Sequence, residues 1–209
     1  MTKRLTVTAF RLAFGLLALS AVGRQFAVQV QMGFSVVNFF SYFTNLSNLL
    51  AGVVLIFGAF QSATHRAPSA WNDFMRGAAA VNMAVVGVVF AVLLRDVDLG
   101  HLLPWVNAAL HYVLPVAVVF EWLSQPPGAR LSVRQALLWQ AFPLLYLAYV
   151  LGRGAVVGWY PYPFLNPAGA GGAGGVAAHV CGIVAVFLLA GWALRALGNR
   201  RREAVALLG

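Results

Sequence analysis

Ser41-Tyr42-Phe43-Thr44-Asn45-Leu46-Ser47-Asn48-Leu49-Leu50, residues 41–50, opens one of the long apolar runs of the chain, and the rest is read from it. Taken as helix, it places Ser41, Thr44, Asn45 and Asn48 at offsets of zero, three, four and seven, on one helical face. A helix in hydrocarbon carries such a stripe only where it turns away from lipid. The stripe therefore faces protein, water or a ligand.

Around this run lies a chain of 209 residues, 61% hydrophobic and 9% charged, with a mean hydropathy of +0.82. No water-soluble globule of this size covers so much apolar surface, so the composition is that of an all-α integral membrane protein. Runs long enough to cross the hydrocarbon core, roughly 20 residues each, fall near residues 5–30, 39–61, 74–94, 103–123, 136–152 and 173–198. Six transmembrane helices in a single domain over residues 1–209 are expected. Of the 14 basic residues, Lys3, Arg4, Arg11, Arg66, Arg76, Arg130, Arg134, Arg195, Arg200, Arg201 and Arg202 fall on one side of the spans; Arg24, Arg95 and Arg153 fall on the other. Positive charge concentrates on the inner side, so both termini are expected to be cytoplasmic. The net charge of +9 sits at span ends rather than in a patch interleaved with stacking aromatics, which argues against nucleic acid as a partner. The lone Cys181 excludes an internal disulfide and a thiolate metal cluster.

Ala18-Leu19-Ser20-Ala21 has the small residues of a signal-peptide cleavage site, but the apolar run continues through Phe26 to Val30, as a retained span requires. Arg24 snorkels at its outer end, near Gln25 and Gln29. Asn72 and Asp73 are expected to cap the third span, and Arg95 with Asp96 and Asp98 to end it as a solvated rim cluster. The fourth span starts at Pro104, sets Asn107 and His111 one turn apart, and meets Pro115, which frees a carbonyl near residue 111 and kinks the helix. A kink beside an intramembrane histidine opens a pocket. Glu121, about ten residues deeper, is too far from His111 to orient its ring. On the outside, the aromatic stretch Trp159 to Pro167 is expected to lie on the membrane surface and the Gly/Ala run 168–175 to act as a hinge or linker. Trp105 and Trp159 mark the outer interface, and Trp71, Trp122, Trp139 and Trp192 the inner one.

Counting inward from the outer ends, Thr44 lies about five residues down, His111 about eight and His179 about six, which is roughly 8–12 Å at 1.5 Å per residue. Gln25, Asn45, Asn48, Asn107 and Tyr149 fall near the same layer, while the inner half offers Asn82, Gln140 and little else. Most polar groups in membrane helices serve packing; an intramembrane histidine is costlier and marks function. A hydroxyl, an imidazole and several carboxamides in one apolar layer match a nucleophile, a general base and oxyanion donors.

The segments Phe40 to Leu50, His111-Tyr112-Val113-Leu114-Pro115 with Glu121-Trp122, and Tyr160-Pro161-Tyr162-Pro163-Phe164-Leu165 together resemble the androgen-induced gene 1 family, in particular its six-helix microbial branch. The resemblance implies an intramembrane threonine hydrolase in a bacterial plasma membrane. Its nucleophile would be Thr44 and its base His111, acting without a cofactor on lipid esters such as fatty acid esters of hydroxy fatty acids. Asn45, Asn48, Asn107, His179 and Arg95 are the expected substrate-binding residues. Asn45 or Asn48 would donate to the oxyanion, Asn107 would hold the histidine tautomer, and Arg24, Arg95 or Arg153 at the rim would pair with a substrate carboxylate. Two readings compete: a lipid or small-molecule transporter or receptor using the same pocket, and haem held by His111 and His179.

Overall fold

The structure is a computed structural model that describes residues 2–64, 69–98 and 100–207. Arg66, counted above among the inner charges, lies outside the described residues. Among those described, the regular structure is helical: α1 (Thr2–Gln31), α2 (Val36–Phe40), α3 (Phe43–Ala63), α4 (Ala70–Val89), α5 (Pro104–Ala108), α6 (Leu114–Ser124), α7 (Val133–Leu138), α8 (Ala141–Val157) and α9 (Gly172–Ala206). Two π turns, Phe90–Leu94 and Ala109–Val113, extend α4 and join α5 to α6. Among the described residues, six stretches are long and apolar enough to cross a membrane: Arg4–Gln31, Phe43–Ala63, Ala70–Leu94, Pro104–Ser124, Val133–Val157 and Gly172–Ala206.

Several boundaries depart from the sequence reading for local reasons. The third span is capped by Ser69, whose side chain accepts the Asn72 N–H, and not by Asn72 or Asp73. The fifth begins early because Ser132 and Gln135 form a reciprocal capping box. The sixth runs on to Ala206 through its basic end, where no glycine or proline stops it after Gly198.

Small residues bring α1 and α3 together. A Cβ at Gly52 would lie 2.9 Å from Leu19 Cδ2, and one at Gly15 would lie 2.7 Å from Ile56 Cγ1. Ala18 and Ala21 are fully buried, so the stretch resembling a cleavage site serves as a packing face. Trp122 and Trp139 are also buried, against their expected place in an interfacial belt. Each satisfies its indole N–H on a backbone carbonyl, Trp122 on Leu194 at 3.0 Å and Trp139 on Phe74 at 2.9 Å. The Trp139 ring lies so close over Gly77 that no Cβ fits there.

The bundle end at the start of α1 and the end of α9 holds a buried ion-pair cluster, where the sequence reading expected few polar groups. Arg11 of α1 donates to Glu121 of α6 through Nε at 2.8 Å and Nη2 at 2.6 Å, to the Gly58 carbonyl at 3.0 Å and to Ser62 Oγ at 2.7 Å. Arg76 of α4 donates to the other side of the same carboxylate at 3.1 Å and to Asp73 at 3.0 Å. Asp73 in turn accepts the Gly128 N–H at 2.7 Å. Two cations and two anions thus neutralise one another and tie four helices and the following turn together.

Candidate functional site

The opposite end of the bundle is built around a break in the chain ahead of α3. The four stripe residues do not share one continuous helix: α2 stops at Phe40, Tyr42 is extended, and α3 starts at Phe43. Polar groups of the stretch satisfy the carbonyls that this break releases. Ser41 Oγ donates to Val37 O at 2.7 Å, Asn45 Nδ2 to Phe39 O at 2.8 Å, and Tyr146 OH to Ser41 O at 2.9 Å. Asn48 Nδ2 bonds Thr44 O at 2.9 Å and Leu110 O at 3.4 Å. It thereby serves a carbonyl inside the π turn ahead of Pro115, where the proline supplies no N–H. Both carboxamide hydrogens of Asn48 are committed to backbone, which removes it as an oxyanion donor; Asn45 commits one to Phe39 O and lines the cavity described below.

Thr44 is left with a different position. It sits in the first turn of α3, where backbone N–H groups have no partner within the helix and the helix dipole favours negative charge. Its N–H donates to the hydroxyl of Tyr162 at 3.3 Å. Thr44 lines two spaces. One is a cavity of about 560 Å³ at this end of the bundle, lined by polar groups and by His111. The other is a narrow slot of about 120 Å³, lined almost entirely by apolar groups of α4, α8 and α9, among them Val85, Leu147, Ile183 and Phe187. Tyr162 and Leu94 also touch both. Leu144 of α8 and Leu188 of α9, both about half exposed, are among the residues that line the slot.

His111 is buried and lines the larger cavity with Thr44. Its ring stacks on Phe90 at 4.0 Å and 16°, so the two π turns meet at this imidazole. Nδ1 lies 2.7 Å from Asn107 Oδ1. An amide oxygen only accepts, so Nδ1 carries the proton in the neutral ring and Nε2 is left with its lone pair. Among the described residues no hydrogen bond joins His111 to the Thr44 hydroxyl.

The chain matches no family model, no curated protein and no solved structure.

The other expected site residues are dispersed. His179 bonds the Gly175 carbonyl through Nδ1 at 2.8 Å and lines a separate groove with Val88 and Val92, so it does not form a haem-ligating pair with His111. Arg95 is exposed, pairs with Asp96 at 3.4 Å and is not among the residues that line either space, although Leu94 beside it lines both. Arg24 is exposed. Arg153 donates to Asn38 at 2.6 Å and stacks over Trp159 at 5.2 Å, bracing the cavity wall. Gln25 is buried and staples α1 to the start of α5 through His101 O and the Leu103 N–H. Tyr149 bonds Ser41 Oγ at 2.9 Å.

Tyr162 is the site residue that spacing did not single out. Its loop does not lie on the surface: Phe164 and Leu165 are buried, and the Tyr162 ring stacks on Phe164 at 5.1 Å and 5°. Tyr160 packs directly on Gly154, which seats the loop over the end of α8. The Gly/Ala run is helical from Gly172 onward and so contributes a helix start instead of a long hinge. Burial pushes the Tyr162 phenol up to about 12, with the Thr44 side chain and backbone pulling the other way, so at neutral pH it is a hydrogen-bond donor beside Thr44. The repeated Tyr-Pro around it is the one local signal, since two prolines restrict the backbone that carries this ring.

Proposed function

We propose that this protein is an intramembrane hydrolase of lipid esters, with Thr44 as nucleophile and His111 as general base. The observation that carries the reading is the place of Thr44 on the wall shared by an apolar slot and the polar cavity that His111 lines. An ester whose acyl chain fills the slot and whose alcohol portion occupies the cavity has its carbonyl beside the Thr44 hydroxyl. His111 Nε2 takes the Thr44 proton as the oxygen attacks; catalytic hydrogen bonds of this kind often close only in the Michaelis complex. Tyr162 and the first-turn N–H groups of α3 stabilise the oxyanion in place of Asn48. His111 returns the proton to the departing alcohol, then activates a water that releases the fatty acid from the acyl-threonine. This is a dyad, with Asn107 fixing the tautomer where a triad would use a carboxylate.

The same reading places the chain in the androgen-induced gene 1 family's microbial branch, with both termini cytoplasmic and the cavity open to the outer face of a bacterial plasma membrane. The acyl chain then enters sideways from the outer leaflet between Leu144 and Leu188. A transporter or receptor for a lipid or small molecule is a second reading. It is favoured by the contrast between an accessible cavity at one end and the Arg11–Glu121–Arg76 cluster sealing the other. Purified protein in nanodiscs, assayed on chromogenic and lipid esters, tests the choice. His111→Gln is expected to lower kcat by about 10²–10⁴-fold, the usual contribution of a general base, with KM little changed. Equal kcat in the variant rejects His111 as the base, and lipid binding without turnover in the wild type favours the transporter or receptor.

A further inference from the structure

The larger space has a composition that says what its ligand is. At about 560 Å³ it falls within the roughly 300–1,000 Å³ range of small-molecule sites. Its wall combines carboxamides and aromatic rings, with Gln29, Asn38 and Asn166 facing the same space as Tyr42, Trp159 and Tyr160. Among the described residues no Lys or Arg lines it, and its one carboxylate is Asp98. Arg153, behind two residues of the wall, is held by Asn38 and Trp159. A phosphate or carboxylate brought into this space meets an acid and no cation to pair with. A neutral ligand rich in hydroxyls meets donors and acceptors on every side, and amphipathic rings against its C–H faces. Gln29 and Tyr42 have the capacity to bind it: neither side chain hydrogen-bonds a described protein group.

We infer that the cavity binds a neutral polyol, a glycerol- or sugar-like group carried on a single acyl chain, and that carboxylate-bearing esters are poor ligands. The slot beside Thr44, at about 120 Å³ against 560 Å³, has room for the ester-proximal part of one chain and none for a second. For its reaction the inference rests on the hydrolase reading: Thr44 Oγ bonds to the acyl carbon, the carbon–oxygen bond to the polyol breaks, the polyol leaves with the proton from His111, and water then frees the fatty acid. For its ligand it rests on the cavity alone.

The test uses the full chain in nanodiscs and has two arms. In the first, non-hydrolysable 1-O-dodecylglycerol and dodecyl phosphate are titrated while tryptophan fluorescence is followed, with Trp159→Phe identifying the cavity signal. In the second, monododecanoylglycerol and a dodecanoyl sugar are compared as substrates with dodecanoyl lysophosphatidic acid and a dodecanoyl ester of a hydroxy fatty acid. The inference expects the dodecylglycerol signal alone in the first arm and at least about a ten-fold higher kcat/KM for the neutral esters in the second, with Gln29→Arg shifting the ratio toward the anionic ones by about ten-fold. Dodecyl phosphate binding as tightly as dodecylglycerol overturns it, as does equal or preferred turnover of the anionic esters, which would leave the hydrolase standing. Selective binding of dodecylglycerol with no ester turned over supports the polyol site and removes the hydrolase.

Discussion

Thr44→Val is expected to eliminate the proposed ester turnover, to below about 10⁻³ of the wild-type kcat, while the protein purifies and melts close to the wild type. Valine keeps the branched shape in a site that is 8% exposed and removes only the hydroxyl. Apart from the contact of its hydroxyl with Tyr162, the contacts made at this residue use its backbone and survive the change: the N–H to Tyr162 and the carbonyl to Asn48. The remaining machinery accelerates water attack only modestly when the nucleophile of such a unit is missing. Thr44→Ser restores an oxygen at the same place and retains a measurable rate. Initial rates on a chromogenic ester, beside thermal melts of all three proteins, give the answer; full activity in the valine variant means another residue attacks.

Glu121→Ala costs the bundle about 3–5 kcal/mol, the usual penalty for removing one partner from a buried ion pair. The carboxylate is 4% exposed and is shared by Arg11 and Arg76, so its loss leaves two guanidinium groups facing a single acid, Asp73. Arg11→Leu unbalances the cluster in the opposite sense and is also destabilising. The double variant, Arg11→Leu with Glu121→Ala, keeps the neutral Arg76–Asp73 pair, and the two changes are therefore expected to cost less together than their sum. The reading is the fall in apparent melting temperature in detergent. Strict additivity of the two losses contradicts a shared cluster.

Six apolar runs were legible because a span declares itself by length and hydropathy, which do not depend on tertiary contacts. Direction of packing was less so. Glu121 was placed near its true depth, but its partners came from spans one and three, and Arg11 and Arg76 were counted as rim charges. An acid and two arginines inside apolar runs imply pairing, because hydrocarbon tolerates none of them alone; taken together they announce the cluster. Trp122 and Trp139 were misplaced for a related reason, since an indole near a span end looks the same in sequence whether it faces headgroups or the core.

In the site, the helix offsets of Ser41 to Asn48 correctly picked out buried residues, yet not the roles of most. Ser41 and Asn45 bind backbone released by a break after Phe40, Asn48 binds the Thr44 and Leu110 carbonyls, and nothing in an apolar run with serine and asparagine distinguishes a break from a ligand-facing stripe. His111 and Asn107 are one turn apart and so were readable as a pair. Tyr162 was not, because a loop residue 118 positions from Thr44 reaches it only through the packing of Phe164 and Leu165 beneath the loop.

The attack of the Thr44 oxygen is tested most directly by locating a covalent adduct. Purified protein is labelled with a long-chain alkyl fluorophosphonate, digested, and the modified peptide sequenced by mass spectrometry. The adduct is expected on Thr44, to be absent from Thr44→Val, and to form more slowly in His111→Gln. An adduct on Ser41, Ser47 or Tyr162 with Thr44 unmodified, or undiminished labelling of the valine variant, contradicts it.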